Sequence, residues 1–510
     1  MKLVLINVPY SAIRYKTFEV PPFGLGFIAR FLFNNGVPYS FLDLGEKSIK
    51  GAKTFINKFI KSDVKYIGFS FYQENIDNAM ILIKFIKNKF PSVKIIVGGI
   101  FPTIAHKELL EENRDIDFVV RGDGEEAVLN ILSKKYKRED IGVSFRENGK
   151  LFFSSKINRL DDLDKSSPPR YKNEVIKEYN LKSKKSQSDV NVIPIVWSRG
   201  CNYNCSFCVI QANKNVWRCR SNQSILKEIK TNFKPNMKNH IIFFDANPLQ
   251  DADRFEELVI EIRKDFNLTF SCAGRVDVVV RHKKIIRNLA YMGCIEMELG
   301  IESFDDDTLK YYSKHITKKM IDESLRILKE NAIGIELDFI LFYPGITKKE
   351  VLNNLDGLEK RGFKEDISVD ALFSYTRLYL GTKMRAEFEQ KSKEKINYKY
   401  IPKMQEIVFD KEVKSKIPKI LVLKKKVKSL YDNTVLAETL KNRASNNSLD
   451  EKEVWKVQEL LLLNLYYKIL FFETFKAIIE GKVDANKSYN KKVKEIIKIF
   501  NVLMKDIRFN

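Results

Sequence analysis

Cys201-Asn202-Tyr203-Asn204-Cys205-Ser206-Phe207-Cys208 follows closely on an apolar, strand-like run, Val192–Ser198. Half of the six cysteines in the chain fall inside this stretch, at Cys-x3-Cys-x2-Cys spacing. Three thiolates on one tight loop can hold three irons of a 4Fe–4S cluster and leave the fourth iron open to a bound molecule. A structural zinc site takes four ligands, usually at paired spacings. Cys219 is a conceivable fourth ligand and His240 a more distant one, but no second Cys-x2-Cys pair exists. Structural cysteines without metal are the remaining alternative.

Outward from this loop, strand and helix patterns alternate. Strands are expected at Val192–Ser198, His240–Asp245, Leu268–Ala273, Cys294–Gly300, Ile333–Phe342 and Ile367–Ser374. Helices are expected between them at Asn222–Asn232, Asp253–Asp265, Lys283–Tyr291, Lys318–Asn331 and Lys348–Arg361. About six βα units fall short of the eight in a closed barrel, so the pattern predicts a partial (β/α)6 barrel over 191–384. Residues 1–140 alternate in the same way, with strands at Lys2–Asn7, Tyr39–Leu42, Tyr66–Phe71, Lys94–Val97 and Asp117–Val120, and a helix over Asn75–Phe90. That rhythm predicts a doubly wound, Rossmann-like parallel sheet with helices on both faces. Residues 141–190 read as linker, with Ser166-Ser167-Pro168-Pro169 inside it, and 385–510 as an α-helical domain with stretches near 415–441 and 449–480.

Composition bounds the rest. The 510 residues carry 89 Lys+Arg against 66 Asp+Glu, a net charge of +23. Residues 381–510 hold 29 Lys+Arg and 17 Asp+Glu, so +12 of that excess lies in the tail. The lysines are scattered, which suits a solvated face better than a nucleic-acid surface. Six cysteines are too few for a disulfide scaffold, and the start reads as a strand and not as a signal peptide. Leu460–Phe472, interrupted by Asn464 and Lys468, is too short to span a bilayer and reads as a buried helix. A reducing cytoplasm is the expected location.

Four turns follow the first-sheet strands: Pro21–Gly26, Gly68–Asn75, Gly98–Thr103 and Arg121–Glu126. Gly there allows close backbone approach. Turns of this kind on one sheet edge suit a large, flat, partly anionic ligand, because such sheets bind at their carboxyl edge.

Cys201, Cys205 and Cys208, with the aromatic Phe207 before the last, resemble the radical S-adenosylmethionine (radical SAM) superfamily. The ordered turns resemble the cobalamin-binding domain found ahead of such barrels: Pro22-Phe23-Gly24-Leu25, Ile67-Gly68-Phe69-Ser70, Val97-Gly98-Gly99 with Pro102-Thr103, and Val120-Arg121-Gly122-Asp123-Gly124-Glu125. The resemblance covers residues 1–380. It implies a 4Fe–4S cluster on Cys201, Cys205 and Cys208. It implies S-adenosylmethionine near Phe207, Asp245, Asn247, Arg275, Glu302 and Ser303, with Phe207 beside the adenine, Arg275 on the methionine carboxylate and Glu302 or Ser303 on the ribose. A surface ion pair with Asp277 is the plain alternative for Arg275, a lysine ion pair that for Glu302, and turn-forming or capping that for Asp245 and Asn247.

For cobalamin it implies Phe23, Gly24, Leu25, Ser70, Phe71, Tyr72, Gln73, Asn75, Gly98, Gly99, Pro102, Gly122, Gly124 and Glu125. Many cobalamin domains carry an Asp-x-His-x-x-Gly loop; Asp43-Leu44-Gly45-Glu46-Lys47-Ser48 stands in its place without His. The residue facing cobalt is then expected from Phe71, Tyr72 or Gln73, and His106 is expected as a cap or surface residue. The resemblance further implies a 5′-deoxyadenosyl radical enzyme. The first expectation is a C-methyltransferase using methylcobalamin on an unactivated carbon of a natural product or peptide, fed by an external flavodoxin- or ferredoxin-type electron donor. The alternatives are a radical cyclase, rearrangement or peptide-maturation enzyme with cobalamin assisting or absent, and, outside enzymes, a basic zinc-containing nucleic-acid-binding protein.

Overall fold

The computed structural model describes residues 2–10, 21–136, 142–170, 190–214, 216–364, 369–424, 465, 468–482 and 491. The first sheet contains β1 (Lys2–Asn7), β2 (Tyr39–Asp43), β3 (Val64–Ser70), β4 (Lys94–Gly98), β5 (Phe118–Val120), β6 (Val143–Glu147) and β7 (Lys150–Phe152), in the order β2-β1-β3-β4-β5-β6-β7. β1–β5 are parallel, and β6 and β7 are antiparallel additions. Successive β1 side chains enter opposite cores: Leu3 and Leu5 pack on one face, Val4 and Ile6 on the other. That two-sided burial is why the strand reads as an unbroken apolar run. The hairpin β6–β7 corrects the linker reading for 143–152. Its alternation is short and polar at the rim, so it resembles loop in the sequence.

The second sheet has β8 (Val190–Ile195) at one edge. After β9 (Ser198–Arg199) and β10 (Arg218–Cys219), which pair only with each other, come β11 (Lys238–Phe243), β12 (Thr269–Arg275), β13 (Cys294–Glu302) and β14 (Gly334–Phe339). The order β14-β13-β12-β11-β8 is parallel throughout. The strand expected over Ile367–Ser374 is, in its described part, a helical turn at Val369–Leu372, and a lone parallel bridge from Phe342 to Tyr375 marks a sixth position. Outward residues Met297, Leu299 and Ile301 of β13 are fully buried under helices. Its inward Glu296 and Glu298 face an open lumen. The barrel helices start on side-chain caps such as Ser221, Asp305 and Thr317, each worth about 1 kcal/mol.

Helices at 411–424 and 468–480 lie in the tail. Ile417, Ile420, Phe471, Phe472 and Phe475 pack into the barrel core, so the end of the apolar run is buried, while Leu465 within it is 39% exposed. Most of the stretch from 425 to 467 lies outside the described residues. Among the described residues no helix is long and apolar enough to cross a membrane.

Candidate active site

The cysteine loop hangs on a buried carboxylate. Asp245, at the end of β11, accepts hydrogen bonds from the backbone N–H of Trp197 (3.3 Å) and of Ser198 and from the Ser198 hydroxyl (2.6 Å). Burial pushes its carboxyl up to about 6 against the pull of those donors. Trp197, without solvent exposure, packs on Phe255 with ring centres 5.2 Å apart and fixes the strand end. Gly200 then turns the chain at φ +88°, and Cys201 follows.

The loop is tied on every side. Gln211 donates to the Cys201 carbonyl (2.8 Å), Asn202 N–H to Gln250 (3.1 Å), Ser206 N–H to the Tyr312 carbonyl (2.9 Å), and Met384 N–H to the Ser206 carbonyl (3.0 Å). All three thiols are free and half-buried. Burial pushes the Cys208 thiol up to about 11, and the neighbouring Cys205 and Cys201 add to this. Two donors approach the sulfurs: Arg275 Nη1 lies 3.7 Å from Cys205 Sγ, and Asn247 Nδ2 3.8 Å from Cys201 Sγ. The buried Asn247 Oδ1 has no partner. Among the described residues no three Cys, His, Asp or Glu side chains converge on a single ion. A free three-thiol loop with polar donors on its sulfurs fits a cluster that takes one thiolate per iron. Cys219 lies apart in β10, paired in register with Ser198.

The residues expected around S-adenosylmethionine separate into two groups. Phe207, Asn247, Arg275 and Glu302 gather about the loop. Phe207 meets Tyr312 edge-on at 5.4 Å. Arg275 does pair with Asp277 (2.9 Å), yet the pair is buried; Arg275 also donates to the Lys314 carbonyl (2.9 Å) and stacks 3.5 Å over the Tyr203 ring. Glu302, in the left-handed region at φ +66°, pairs with Lys314 at 3.1 Å. Asp245 and Ser303 point elsewhere. Asp245 is spent on Trp197 and Ser198, and the Ser303 hydroxyl donates to Asn354 Oδ1 (2.9 Å) on a barrel helix. Deeper in the lumen, water reaches Asp338, but the surrounding wall and the like charges of Glu302 and Glu298 still push its carboxyl up to about 9.

A second site opens at the carboxyl edge of the first sheet. It is a cavity of about 320 Å³, within the size range of ligand pockets. Phe23, Gly24, Leu25, Ser70, Gly98, Gly99, Gly122, Gly124 and Glu125 line it, as expected from the turns. A Cβ on Gly24 would meet nothing within 4 Å, and one on Gly98 only Val120 at 3.6 Å, so these glycines leave room for a ligand. Gly99 is needed for the backbone: at φ +112° its Cβ would sit 2.8 Å from the Phe71 carbonyl. The apolar walls (Leu5, Phe27, Ile28, Ile96) suit a flat apolar arm of cobalamin beneath the polar turns.

Phe71, Tyr72, Gln73, Asn75 and Pro102 do not line this cavity. Phe71 is buried against Phe101, Tyr72 is 45% exposed, and Asn75 holds the Tyr72 N–H (2.8 Å). Gln73 is buried under the C-terminal segment. His106 is no surface residue. It is buried, bonded to the Ser144 hydroxyl (2.8 Å), and burial pulls its pKa down to about 4.

The barrel supplies residues that sequence reasoning missed. Val196, Arg199 and Phe244 complete the cavity wall. Arg199 pairs with Glu125 (2.7 Å) and Asp123 (3.2 Å), and Arg218 pairs with Asp123 (2.7 Å). Burial raises the Asp123 carboxyl, but the two arginines outweigh it and hold the group below its ordinary value. An Arg-Gly-Cys entry into the loop, set against two acids in a glycine-rich turn, was the available signal.

The radical SAM superfamily model matches residues 195–357, and the B12 binding domain model matches residues 13–132. The chain is a cobalamin-dependent radical SAM enzyme, whose cofactors are a 4Fe–4S cluster, S-adenosylmethionine and cobalamin. It is 24% identical over 341 residues to the anaerobic magnesium-protoporphyrin IX monomethyl ester cyclase of Synechocystis sp., covering 65% of this chain and 67% of that one. Its fold is shared with the cobalamin-dependent S-adenosylmethionine radical enzyme OxsB, at a TM-score of 0.68 and 16% identity over 99% of this chain and 84% of that one. It is shared also with the radical S-adenosylmethionine methyltransferase TsrM of Kitasatospora setae, at a TM-score of 0.59 and 17% identity over 76% of each chain.

Proposed function

We propose that this enzyme is a C-methyltransferase acting on an unactivated carbon of a natural product or peptide. The supporting observation is the shared wall. Arg199 and Phe244 of the barrel line the cobalamin-side cavity, and Arg199 stands two residues before Cys201. When bound, the cluster with S-adenosylmethionine supplies a 5′-deoxyadenosyl radical for hydrogen abstraction, and cobalamin supplies a transferable methyl group.

The chain's own residues bind and orient. Cys201, Cys205 and Cys208 hold the cluster. Arg275 and Asn247 offer donors beside it, and Glu302 offers an acceptor. Gly24 and Gly98 leave the cobalamin cavity open, with Gly99, Gly122 and Gly124 shaping its turns. The tail helices pack Phe471 and Phe475 into the barrel core. The substrate enters the lumen between them. The electron comes from an external flavodoxin- or ferredoxin-type carrier, in the reducing cytoplasm.

The test is anaerobic incubation of the reconstituted enzyme with reductant and S-adenosylmethionine deuterated in its methyl group. Methyl transfer predicts S-adenosylhomocysteine alongside 5′-deoxyadenosine, with deuterium passing to corrinoid or product. Formation of 5′-deoxyadenosine and methionine alone, with no S-adenosylhomocysteine, would instead mark a cyclase or rearrangement enzyme.

A further inference from the structure

Gln73 follows β3 in the cobalamin domain, yet its amide is used entirely by a segment more than 300 residues away. Its Nε2 donates to the carbonyls of Tyr398 (2.8 Å) and Tyr400 (3.1 Å), and its Oε1 accepts from the Leu380 N–H (3.0 Å). The side chain is 5% exposed, and both of its N–H donors are taken by this segment. The next residue, Glu74, accepts from the Tyr379 hydroxyl. Tyr398 adds a stacked contact with Phe101 and a hydrogen bond to Glu112 (3.0 Å).

This segment is stiff in its own right. Arg385, 2% exposed, donates to the carbonyls of Leu378 (3.2 Å), Ile396 (3.0 Å), Asn397 (3.0 Å) and Tyr400 (3.0 Å). The segment also touches the cysteine loop. Met384 N–H donates to the carbonyl of Ser206, between Cys205 and Cys208 (3.0 Å). Gly381, at φ +82°, is wedged so that a Cβ would lie 3.1 Å from Ile104 of the cobalamin domain and 3.2 Å from Ala212, on the short helix after Cys208. One strap, 378–400, therefore grips both cofactor domains at once.

We propose that Gln73 is a positioning residue: through the strap it sets the separation between the iron–sulfur cluster and cobalamin. The role holds whichever group the radical chemistry transfers, so it stands apart from the methyltransferase reading. Both cofactors act on one substrate, and misplacement of about 1 Å can cost on the order of 10²-fold in rate.

The experiment uses the holoenzyme with cobalamin in its cobalt(II) form and the cluster reduced. A paramagnetic cluster speeds relaxation of the cobalt electron spin in a steeply distance-dependent way, read as the microwave power that half-saturates the cobalt signal. Gln73→Ala is expected to keep wild-type iron and one corrinoid per chain while that power falls below the wild-type value. Tyr379→Phe, which removes one bond of the same junction, is expected to shift it less and in the same direction. Wild-type relaxation in Gln73→Ala with both cofactors loaded would overturn the proposal. Loss of corrinoid with iron retained would also overturn it, because Gln73 would then contact the cofactor itself. Should Gln73→Ala fail to fold, unchanged relaxation in Tyr379→Phe would overturn it.

Discussion

The two cofactor sites are made of opposite materials. The cobalamin-side cavity is shaped by missing side chains, with Gly24 and Gly98 bordering open space and apolar walls around them. The cysteine loop is shaped by added polar contacts. A buried carboxylate holds its root, Gln211 and Arg275 donate toward it, and its own N–H groups donate to Gln250 and to the Tyr312 carbonyl. A cavity made by omission tolerates loss of a neighbour and fails when it is filled. A loop made by convergence fails when one partner is removed.

The largest effect should come from the loop. Cys201→Ala, Cys205→Ala or Cys208→Ala should each lower cleavage of S-adenosylmethionine by about 10³-fold or more, the scale for removing one member of a group that acts as a unit. Iron analysis should show the cluster lost, while Cys219→Ala keeps it. Iron loss in Cys219→Ala would break the contrast, since the loop would then need a fourth thiol.

The cavity should respond to filling. Gly98→Trp should weaken corrinoid binding about 10- to 100-fold, as overpacking costs about 1–3 kcal/mol, with iron content unchanged. Titration followed by absorbance reads both. Unweakened binding would place the cofactor elsewhere.

The junction between the sites comes next. Arg199→Gln removes the ion pairs that Glu125 and Asp123 make with Arg199, and breaking a buried pair costs about 3–5 kcal/mol. The urea midpoint should fall accordingly, and Arg199→Lys should recover part of the loss. A midpoint within error of wild type would show the two domains held by other contacts.

This division also explains how far the sequence could be read. The alternation of strands, the three cysteines and the glycine turns are local patterns, and the cavity lined by Gly24, Ser70, Gly98 and Gly122 follows from them. The polar wiring is long-range. Arg199 meets Glu125 across 74 residues, and Gln73 meets Tyr400 across 327. No periodicity reports such pairs, so residue type alone places Gln73 with Phe71 and Tyr72 as candidates to face cobalt, while its amide bonds to the C-terminal segment. Ser303 and Asp245 show the same effect: residue type suggests a ligand, while distant partners take their hydrogen bonds. The hairpin at 143–152 was missed because strands this short carry too few apolar positions to show a period.

The smallest effect concerns the lumen. Asp338 is raised by burial and by Glu302 and Glu298, so the native state binds a proton that the unfolded chain has released. Its contribution to stability is therefore greatest at low pH and declines as pH rises from about 4 toward about 9. Asp338→Asn should raise the melting temperature at pH 8 and give little advantage near pH 4. An equal shift at both values would show that the carboxyl does not titrate in that window.

The central claim is that the cluster sits on the cysteine loop and cobalamin in the first-sheet cavity whose wall Arg199 and Phe244 complete. Anomalous diffraction from crystals of the loaded enzyme, collected at the iron and cobalt edges, tests it most directly. The account predicts an iron peak within bonding reach of Cys201, Cys205 and Cys208 Sγ, and a cobalt peak on the first-sheet side, with the cofactor's tail entering past Gly98. A cobalt peak remote from that cavity, or iron bound through Cys219, would contradict it.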